Sequence, residues 1–84
     1  MSYRIQIERK ALEALEAIPA PDRQRIRVAI RALMQEPRPP GCTKLTDSAN
    51  WRIRVGVYRI VYRIEEDQLL VLVTKIGHRR EVYR

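Results

Sequence analysis

The sequence predicts an α+β fold in which a hairpin of two antiparallel helices packs on one face of a small, mostly antiparallel sheet, in the order β-α-α-β-β-β. Apolar residues alternate with polar ones near the start of the chain and again from residue 51 onward, which is typical of strands. Between these segments the apolar residues recur with helical spacing. The chain has 84 residues, enough for one modest hydrophobic core, so we expect residues 1–84 to form a single domain.

The first half of the chain contains one predicted strand and two predicted helices. Residues 3–7 alternate in polarity and predict a short strand. A first helical stripe of apolar residues covers residues 11–18 and ends before Pro19. A second stripe covers residues 26–33, and its helix is expected to end near Glu36. Because the connection between the two is short, we expect the helices to lie antiparallel.

The stretch WRIRVGVYRIVY, residues 51–62, predicts a β-hairpin. Its two alternating strands are separated by Gly56-Val57, and a type II′ turn prefers glycine in the first place of such a loop. A two-residue loop pairs Arg54 with Arg59 directly across the hairpin. The apolar side chains then fall on one face of the sheet and the arginines on the other.

The facing arginines indicate an anion-binding surface. Like charges directly opposite each other in a sheet are unfavourable, and a cross-strand pair is worth about 0.2–1 kcal/mol. A purely structural sheet gains nothing from placing Arg54 opposite Arg59, so a bound phosphate is the natural missing partner. The alternative is that the arginines are solvated side chains on an exposed face.

The segment before the hairpin predicts a long surface loop. Residues 37–50 contain three of the five prolines together with Gly41. A loop of this length in so small a domain indicates a functional role. Lys44 in this loop is either a phosphate contact or a solvated lysine.

A last strand is predicted from Leu69 to Ile76. An even-length turn before it places its odd-numbered residues against the helices. The same register puts Leu70 and Leu72 on the other face, beside Val61. An apolar patch among the arginines would suit a partner's side chains or a base.

The composition indicates an anionic partner. The 17 basic residues outnumber the 10 acidic ones, for a net charge of +7, and lysine occurs only at positions 10, 44 and 75. Arginine offers a planar fork that suits phosphate and stacks on bases. We therefore expect nucleic acid first and an acidic protein second.

Other features argue against several classes of protein. With one histidine and one cysteine the chain cannot assemble a zinc site by itself, so we expect no metal and no cofactor. Cys42 is the single cysteine, which fits a reducing compartment. The sequence shows neither the apolar run of a signal peptide nor eighteen consecutive apolar residues, so we expect a cytoplasmic protein without membrane contact.

The run WRIRVGVYRIVYRI, preceded by Lys44-Leu45 and followed by IGHRREVY at residues 76–83, resembles the toxins of the RelE/ParE superfamily from bacterial type II toxin–antitoxin systems. The resemblance covers nearly the whole chain and implies a RelE-like fold. It also implies a small acidic, RelB-like antitoxin that joins the toxin in a hetero-oligomer. RelE-type toxins cleave messenger RNA in the ribosomal A site, so the ribosome and mRNA are implied partners.

The resemblance implies roles for residues of the hairpin and of the tail, namely Arg52, Arg54, Arg59, Arg79 and Tyr83. Arg59 would hold the scissile phosphate and stabilise the transition state. Arg79 would help to protonate or stabilise the leaving oxygen, and Tyr83 would position or stack on a base. Cleavage by 2′-hydroxyl attack needs a base, positive charge around the developing phosphorane, and a proton for the leaving 5′-oxygen.

The arginines do not suit the role of the general base. Family members with a known mechanism often carry lysine at the positions of Arg52 and Arg54, and arginine, unlike lysine, effectively cannot lose its proton. Histidine is the side chain type best suited to proton transfer at physiological pH, and His78 is the single histidine, so we predict it as the base or acid, unless it is a solvent-exposed loop histidine. Four basic residues are predicted to contact RNA: Lys44, Arg52, Arg63 and Arg80.

Three functions fit these observations. The first is a metal-independent, ribosome-dependent mRNA endoribonuclease that an antitoxin neutralises. The second is a ParE-like inhibitor that binds DNA gyrase without catalysis, and the third is an RNA-binding module without catalysis. The hairpin pattern is shared by the first two, and the combination of Arg54 with His78, Arg79 and Tyr83 favours the nuclease.

Overall fold

The structure is a computed structural model that describes residues 2–46 and 48–78. Its two helices pack on one face of a five-stranded sheet, which confirms the predicted α+β class. No helix within the described ranges is long and apolar enough to cross a membrane. In chain order the elements are β1 (Arg4–Ile7), α1 (Arg9–Glu16), α2 (Ala20–Ala32), β2 (Thr43–Lys44), β3 (Asn50–Val55), β4 (Tyr58–Glu65), a 3₁₀ turn (Glu66–Gln68) and β5 (Leu70–His78).

The sheet has the strand order β1-β5-β4-β3-β2 and is mixed. Neighbouring strands from β2 to β5 are antiparallel, whereas β1 runs parallel to β5. The predicted loop at residues 37–50 contains the additional strand β2, in which Thr43 pairs with Arg52 and Lys44 with Trp51. A strand of two residues is too short to produce an alternating pattern, so the sequence did not reveal it.

The register of the β3–β4 hairpin is the predicted one. Arg54 lies opposite Arg59 and Val55 opposite Tyr58. Gly56 has φ +60°, while Val57 is not among the described residues with positive φ, as a type II′ turn requires. The turn therefore sets which residues of both strands share a face.

The helices follow the predicted stripes, with one difference in length. α2 ends at Ala32 rather than near Glu36. The N–H groups of Leu33 and Met34 bond to carbonyls three residues earlier, so the chain tightens into turns after Ala32. Leu33 is the last residue of the apolar stripe and is fully buried.

The hydrophobic core lies between the helices and the sheet. Tyr62, at its centre, is fully buried, and its hydroxyl donates a hydrogen bond to the carbonyl oxygen of Pro37 at 2.7 Å. Burial raises the pKa of Tyr62, and the nearby Cys42 raises it further. Tyr62 is therefore a packing residue that cannot stack on a base. The buried residues of this core are Ala11, Leu15, Ile18, Ile26, Ile30, Leu33, Ile53, Ile60, Tyr62, Val71, Val73 and Ile76.

A β-bulge interrupts the pairing of β4 with β5. Tyr62 pairs with Val73, whereas its predecessor Val61 pairs with Lys75, so Thr74 is the extra residue. The Thr74 hydroxyl donates a long hydrogen bond of 3.4 Å to the Val61 carbonyl oxygen. After the bulge, the side chains of β5 point to the opposite face of the sheet from the one that uninterrupted alternation would give. Ile76 consequently points into the core.

The start of β5 differs from the prediction. Leu69 was expected to begin the strand on the helix-facing side, but it has φ +50° and closes the 3₁₀ turn before Leu70. On the opposite face, Val61 and Leu70 are only 5% and 8% exposed. The predicted apolar patch among the arginines is therefore largely covered. Leu72, the third residue of the patch, is half-buried.

We expect Tyr62→Phe to lower the free energy of unfolding by about 1–3 kcal/mol, because the buried Pro37 carbonyl loses its donor. Tyr3→Phe is the matched control, since the Tyr3 hydroxyl donates to Glu66 at 2.7 Å on the exposed surface and water can replace it. That control should stay within about 0.5 kcal/mol of the unmutated chain in urea unfolding. Equal losses in the two variants would contradict the buried hydrogen bond.

Gly56→Ala should destabilise the protein by about 1–2 kcal/mol, because an L side chain is strained at positive φ. The added Cβ would come no closer than 3.8 Å to Arg25, so the cost is conformational rather than steric crowding by that residue. Val57→Ala in the same turn is the control, and we expect little change because Val57 is 46% exposed. A Gly56→Ala melting temperature equal to that of the control would refute the strained turn.

Candidate functional site

The candidate site is the face of the sheet opposite the helices. Five cationic side chains occupy register positions there, and we call them the arginine face: Arg52 and Arg54 on β3, Arg59 and Arg63 on β4, and Lys75 on β5. They follow from the alternation of β3 and β4 together with the bulge in β5. The sequence thus places a dense positive charge on a rigid surface.

Arg54 and Arg59 form the centre of the arginine face. They are direct cross-strand partners, whose Cβ atoms in such a pair lie about 4.5–5.5 Å apart. Arg54 is exposed and makes no ion pair with any other residue of the described ranges, while Arg59 is half-buried. On the other side of Arg59, β5 contributes Gly77, which carries no side chain. No β5 side chain therefore stands directly opposite Arg59.

Arg52 is buried rather than exposed, at 9% of its full accessibility. Its Nη2 donates a hydrogen bond to the Thr43 hydroxyl at 3.1 Å, which holds the side chain against β2. Burial lowers the pKa of Arg52, and the neighbouring Arg54 charge lowers it further. Arg52 thus lies beside β2 with little of its surface open to solvent, and its contact with RNA stays a prediction.

A cavity of about 470 Å³ opens beside these arginines, within the usual range for ligand pockets. The predicted functional loop forms one wall and β3 forms the other. The combination of an open cavity with two guanidinium groups suits an anionic ligand. The lining residues are Pro40, Gly41, Thr43, Arg52, Ile53 and Arg54.

The loop that forms this wall is anchored at its start. Pro37 accepts the hydrogen bond from buried Tyr62. Arg38 pairs with Glu66 at 2.7 Å and lies over the Trp51 ring, 5.3 Å from its centroid. These contacts hold the start of the loop in place. None of them involves Arg52 or Arg54.

Two predicted RNA contacts are placed differently from the central pair. Arg63 lies on the arginine face but pairs with Glu65 at 2.9 Å, which offsets part of its charge. Lys44 pairs with Trp51, so it shares the helix-facing side of the sheet. Lys44 therefore lies on the other face from the arginines, since side chains in β2 alternate between the two faces, and its contact with RNA stays a prediction.

His78 is also separated from the arginines. It pairs with Tyr58 on the helix-facing side, with the two rings edge to face and their centroids 6.1 Å apart. Both rings line a separate cavity of about 340 Å³ next to α1. His78 therefore lies on the opposite face of the sheet from Arg54 and Arg59 because of the bulge at Thr74, and its role as acid or base stays a prediction.

The bulge brings Lys75 to the arginine face, a residue that the sequence reasoning missed. Lys75 is exposed and lies opposite Val61. A signal was present, because Val73 and Ile76 are three residues apart in an otherwise alternating strand. Two core residues with that spacing require an extra residue between them.

The remaining predicted residues cannot be placed by geometry. Arg79, Arg80 and Tyr83 lie outside the described residues. Within residues 2–46 and 48–78 no three His, Cys, Asp or Glu side chains cluster closely enough to bind a metal ion. What the described part of the site can do is bind an anion and stabilise negative charge that develops in a reaction.

Comparison with known proteins identifies the fold and the family. The family model for the ParE toxin of type II toxin–antitoxin systems matches residues 5–83. A curated relative from Methanocaldococcus jannaschii that carries the name toxin RelE1 is 24% identical, over 100% of this chain and 98% of the relative.

Solved structures share the same architecture. A chain of the archaeal RelE–RelB complex from Pyrococcus horikoshii superposes with a TM-score of 0.85 and 25% identity, covering 96% of this chain and 99% of that one. The isolated RelE toxin of E. coli gives a TM-score of 0.82 with 21% identity, covering 98% and 92% of the two chains. Because the family model spans nearly the whole sequence, the chain belongs to the ParE toxin family of type II toxin–antitoxin systems, within the RelE/ParE superfamily.

Proposed function

We propose that this toxin is a ribosome-dependent endoribonuclease that cleaves messenger RNA in the A site and is neutralised by a small acidic antitoxin. The observation that carries the proposal is the direct pairing of Arg54 with Arg59 on a rigid sheet, beside an open cavity. Like charges in a cross-strand pair repel each other, and a bound anion would relieve that repulsion. The phosphodiester of an RNA strand is an anion of the right kind.

The proposed chemistry is attack of a ribose 2′-oxygen on the adjacent phosphate. Negative charge then builds up on the non-bridging oxygens of the phosphorane. Arg54 and Arg59 stabilise that charge with guanidinium groups that are already oriented before the reaction, so little reorganisation is needed. Arg52 contributes a further positive charge from beneath the surface, while its bond to Thr43 keeps it in place.

Three tail residues complete the proposal. By resemblance to RelE-type toxins, Arg79 stabilises the leaving oxygen and Tyr83 positions a base. Arg80 is proposed to add a contact to the RNA backbone. The reaction needs no cofactor, and its location would be the cytoplasm, where ribosomes translate mRNA.

The proposed antitoxin partner follows from charge and from the relatives. Solved relatives include RelE–RelB complexes from Pyrococcus horikoshii and Mycobacterium tuberculosis. The net charge of +7 would attract a RelB-like acidic chain. If such a chain covers the arginine face, it excludes RNA from the same groups that the reaction uses.

A second candidate is inhibition of DNA gyrase. The family model that matches residues 5–83 describes the ParE toxin of the parDE system, which favours this reading. In that case the arginine face would bind a protein surface and no RNA product would form. A third outcome, RNA binding without cleavage, would show itself as binding that weakens steeply with salt.

Arg59→Ala should reduce mRNA cleavage on the order of a hundredfold or more, because one charged donor to the transition state is lost. The measurement adds purified toxin to programmed ribosomes and maps new 5′ ends of the message by primer extension. Ribosome association, followed by co-sedimentation, should change little. Arg9→Ala is the matched control, since Arg9 is a highly exposed arginine of α1 that pairs with Glu13.

The outcomes separate the candidate functions. Cuts at A-site codons that disappear in Arg59→Ala but persist in Arg9→Ala would support the nuclease. Intact mRNA together with inhibited gyrase supercoiling, assayed in parallel, would overturn it in favour of the ParE-like inhibitor. Equal cleavage by all three proteins would remove Arg59 from the site.

A further inference from the structure

The bulge at Thr74 gives Lys75 a position within reach of the central arginines. Lys75 stands directly opposite Val61, and Arg59 and Arg63 are the residues two positions away from Val61 on β4. Diagonal neighbours of this kind in an antiparallel sheet lie about 7–8 Å apart, a distance that a lysine side chain can span. Gly77 is the β5 residue opposite Arg59, so β5 places no side chain at that position of the arginine face.

The charged surroundings of Lys75 are few. From β4 the neighbouring charges are Arg59 and Arg63, and the latter already pairs with Glu65. At the junction of β1 and α1, Glu8 is exposed, and its backbone N–H donates to the Val73 carbonyl at 2.9 Å, two residues before Lys75. Within the described ranges Lys75 makes no ion pair, so its ammonium is available to a ligand.

Lys75 differs chemically from every other cation of the arginine face. A guanidinium keeps its proton under all ordinary conditions, so the four arginines can hold charge but are poor proton donors. A lysine ammonium is charged at neutral pH and can still give up a proton to a strongly basic oxygen. The 5′-alkoxide that leaves during RNA cleavage is such an oxygen.

We propose that Lys75 is the proton donor to the leaving 5′-oxygen in the cleavage reaction, an inference that rests on the proposed nuclease function. The 2′-oxygen attacks phosphorus and its proton passes to a solvent hydroxide, while Arg54 and Arg59 hold the non-bridging oxygens. The bond between phosphorus and the 5′-oxygen then breaks, and the proton from Lys75 Nζ moves to that oxygen. The products are a 2′,3′-cyclic phosphate and a 5′-hydroxyl, and Lys75 regains a proton from water.

The test compares two leaving groups. One message carries an ordinary phosphodiester at the A-site cleavage position, and the other carries a single 5′-bridging sulfur there. A thiolate leaves without a proton, so the sulfur substrate needs no acid. Single-turnover cleavage on programmed ribosomes is measured for the unmutated toxin, Lys75→Ala, Lys75→Arg and Lys10→Ala, the last being the control at an exposed lysine of α1.

We expect Lys75→Ala and Lys75→Arg to cleave the ordinary message about a hundredfold more slowly, the lower end of the range for general acid catalysis. Both should cleave the sulfur message at the rate of the unmutated toxin, and Lys10→Ala should match it on both messages. Recovery on the sulfur message also shows that the variants are folded and bind the ribosome.

Other results would overturn the inference. Full activity of Lys75→Arg would mean that only the charge matters, and equal losses on both messages would mean that Lys75 binds the substrate without donating a proton. Unchanged cleavage of the ordinary message by Lys75→Ala would refute the role of Lys75 and leave the proposed nuclease function standing. If the unmutated toxin cuts neither message, the proposed function fails and this inference fails with it.

Discussion

The register of the β3–β4 hairpin is the constraint on which the rest of this structure depends. A side-chain period of two means that a slip of one residue would send every core residue of a strand to the solvent face. The Gly56 turn prevents that slip and holds Ile53 and Ile60 together in the core. The same register forces Arg54 against Arg59 on the other face. The two-residue turn at Gly56 therefore determines both the packing of the hairpin in the core and the pairing of the arginines on the other face.

That arrangement has an energetic consequence. Two like charges held opposite each other oppose folding by a fraction of a kilocalorie per mole, about 0.2–1 kcal/mol for a cross-strand pair. The core and the buried Tyr62 hydrogen bond to Pro37 offset this penalty. Under the proposed function, a phosphate bound between the two guanidinium groups would relieve this repulsion as well as make its own contacts.

The second feature that shapes the site is the bulge at Thr74. It exchanges the side chains that β5 offers to the two faces of the sheet, so that Lys75 lies with the arginines and His78 lies against Tyr58. Without the extra residue, His78 would lie on the face of the arginines and Lys75 on the face of the helices. A bulge is a local event in the backbone, yet here it determines which titratable group shares a face of the sheet with the arginines.

The sequence by itself determined the two helices, the hairpin and the pairing of Arg54 with Arg59, because strong periodicity and a glycine in a two-residue turn are local signals. The RelE/ParE family was likewise readable from the hairpin and its flanks. Strand β2 left no signal, since two residues have no period, so the pairing of Arg52 with Thr43 was not foreseen either. The positions of Lys44, Lys75 and His78 were decided only by the tertiary structure. Each depends on how one strand pairs with its neighbour, and such pairing is a property of two distant segments rather than of either alone.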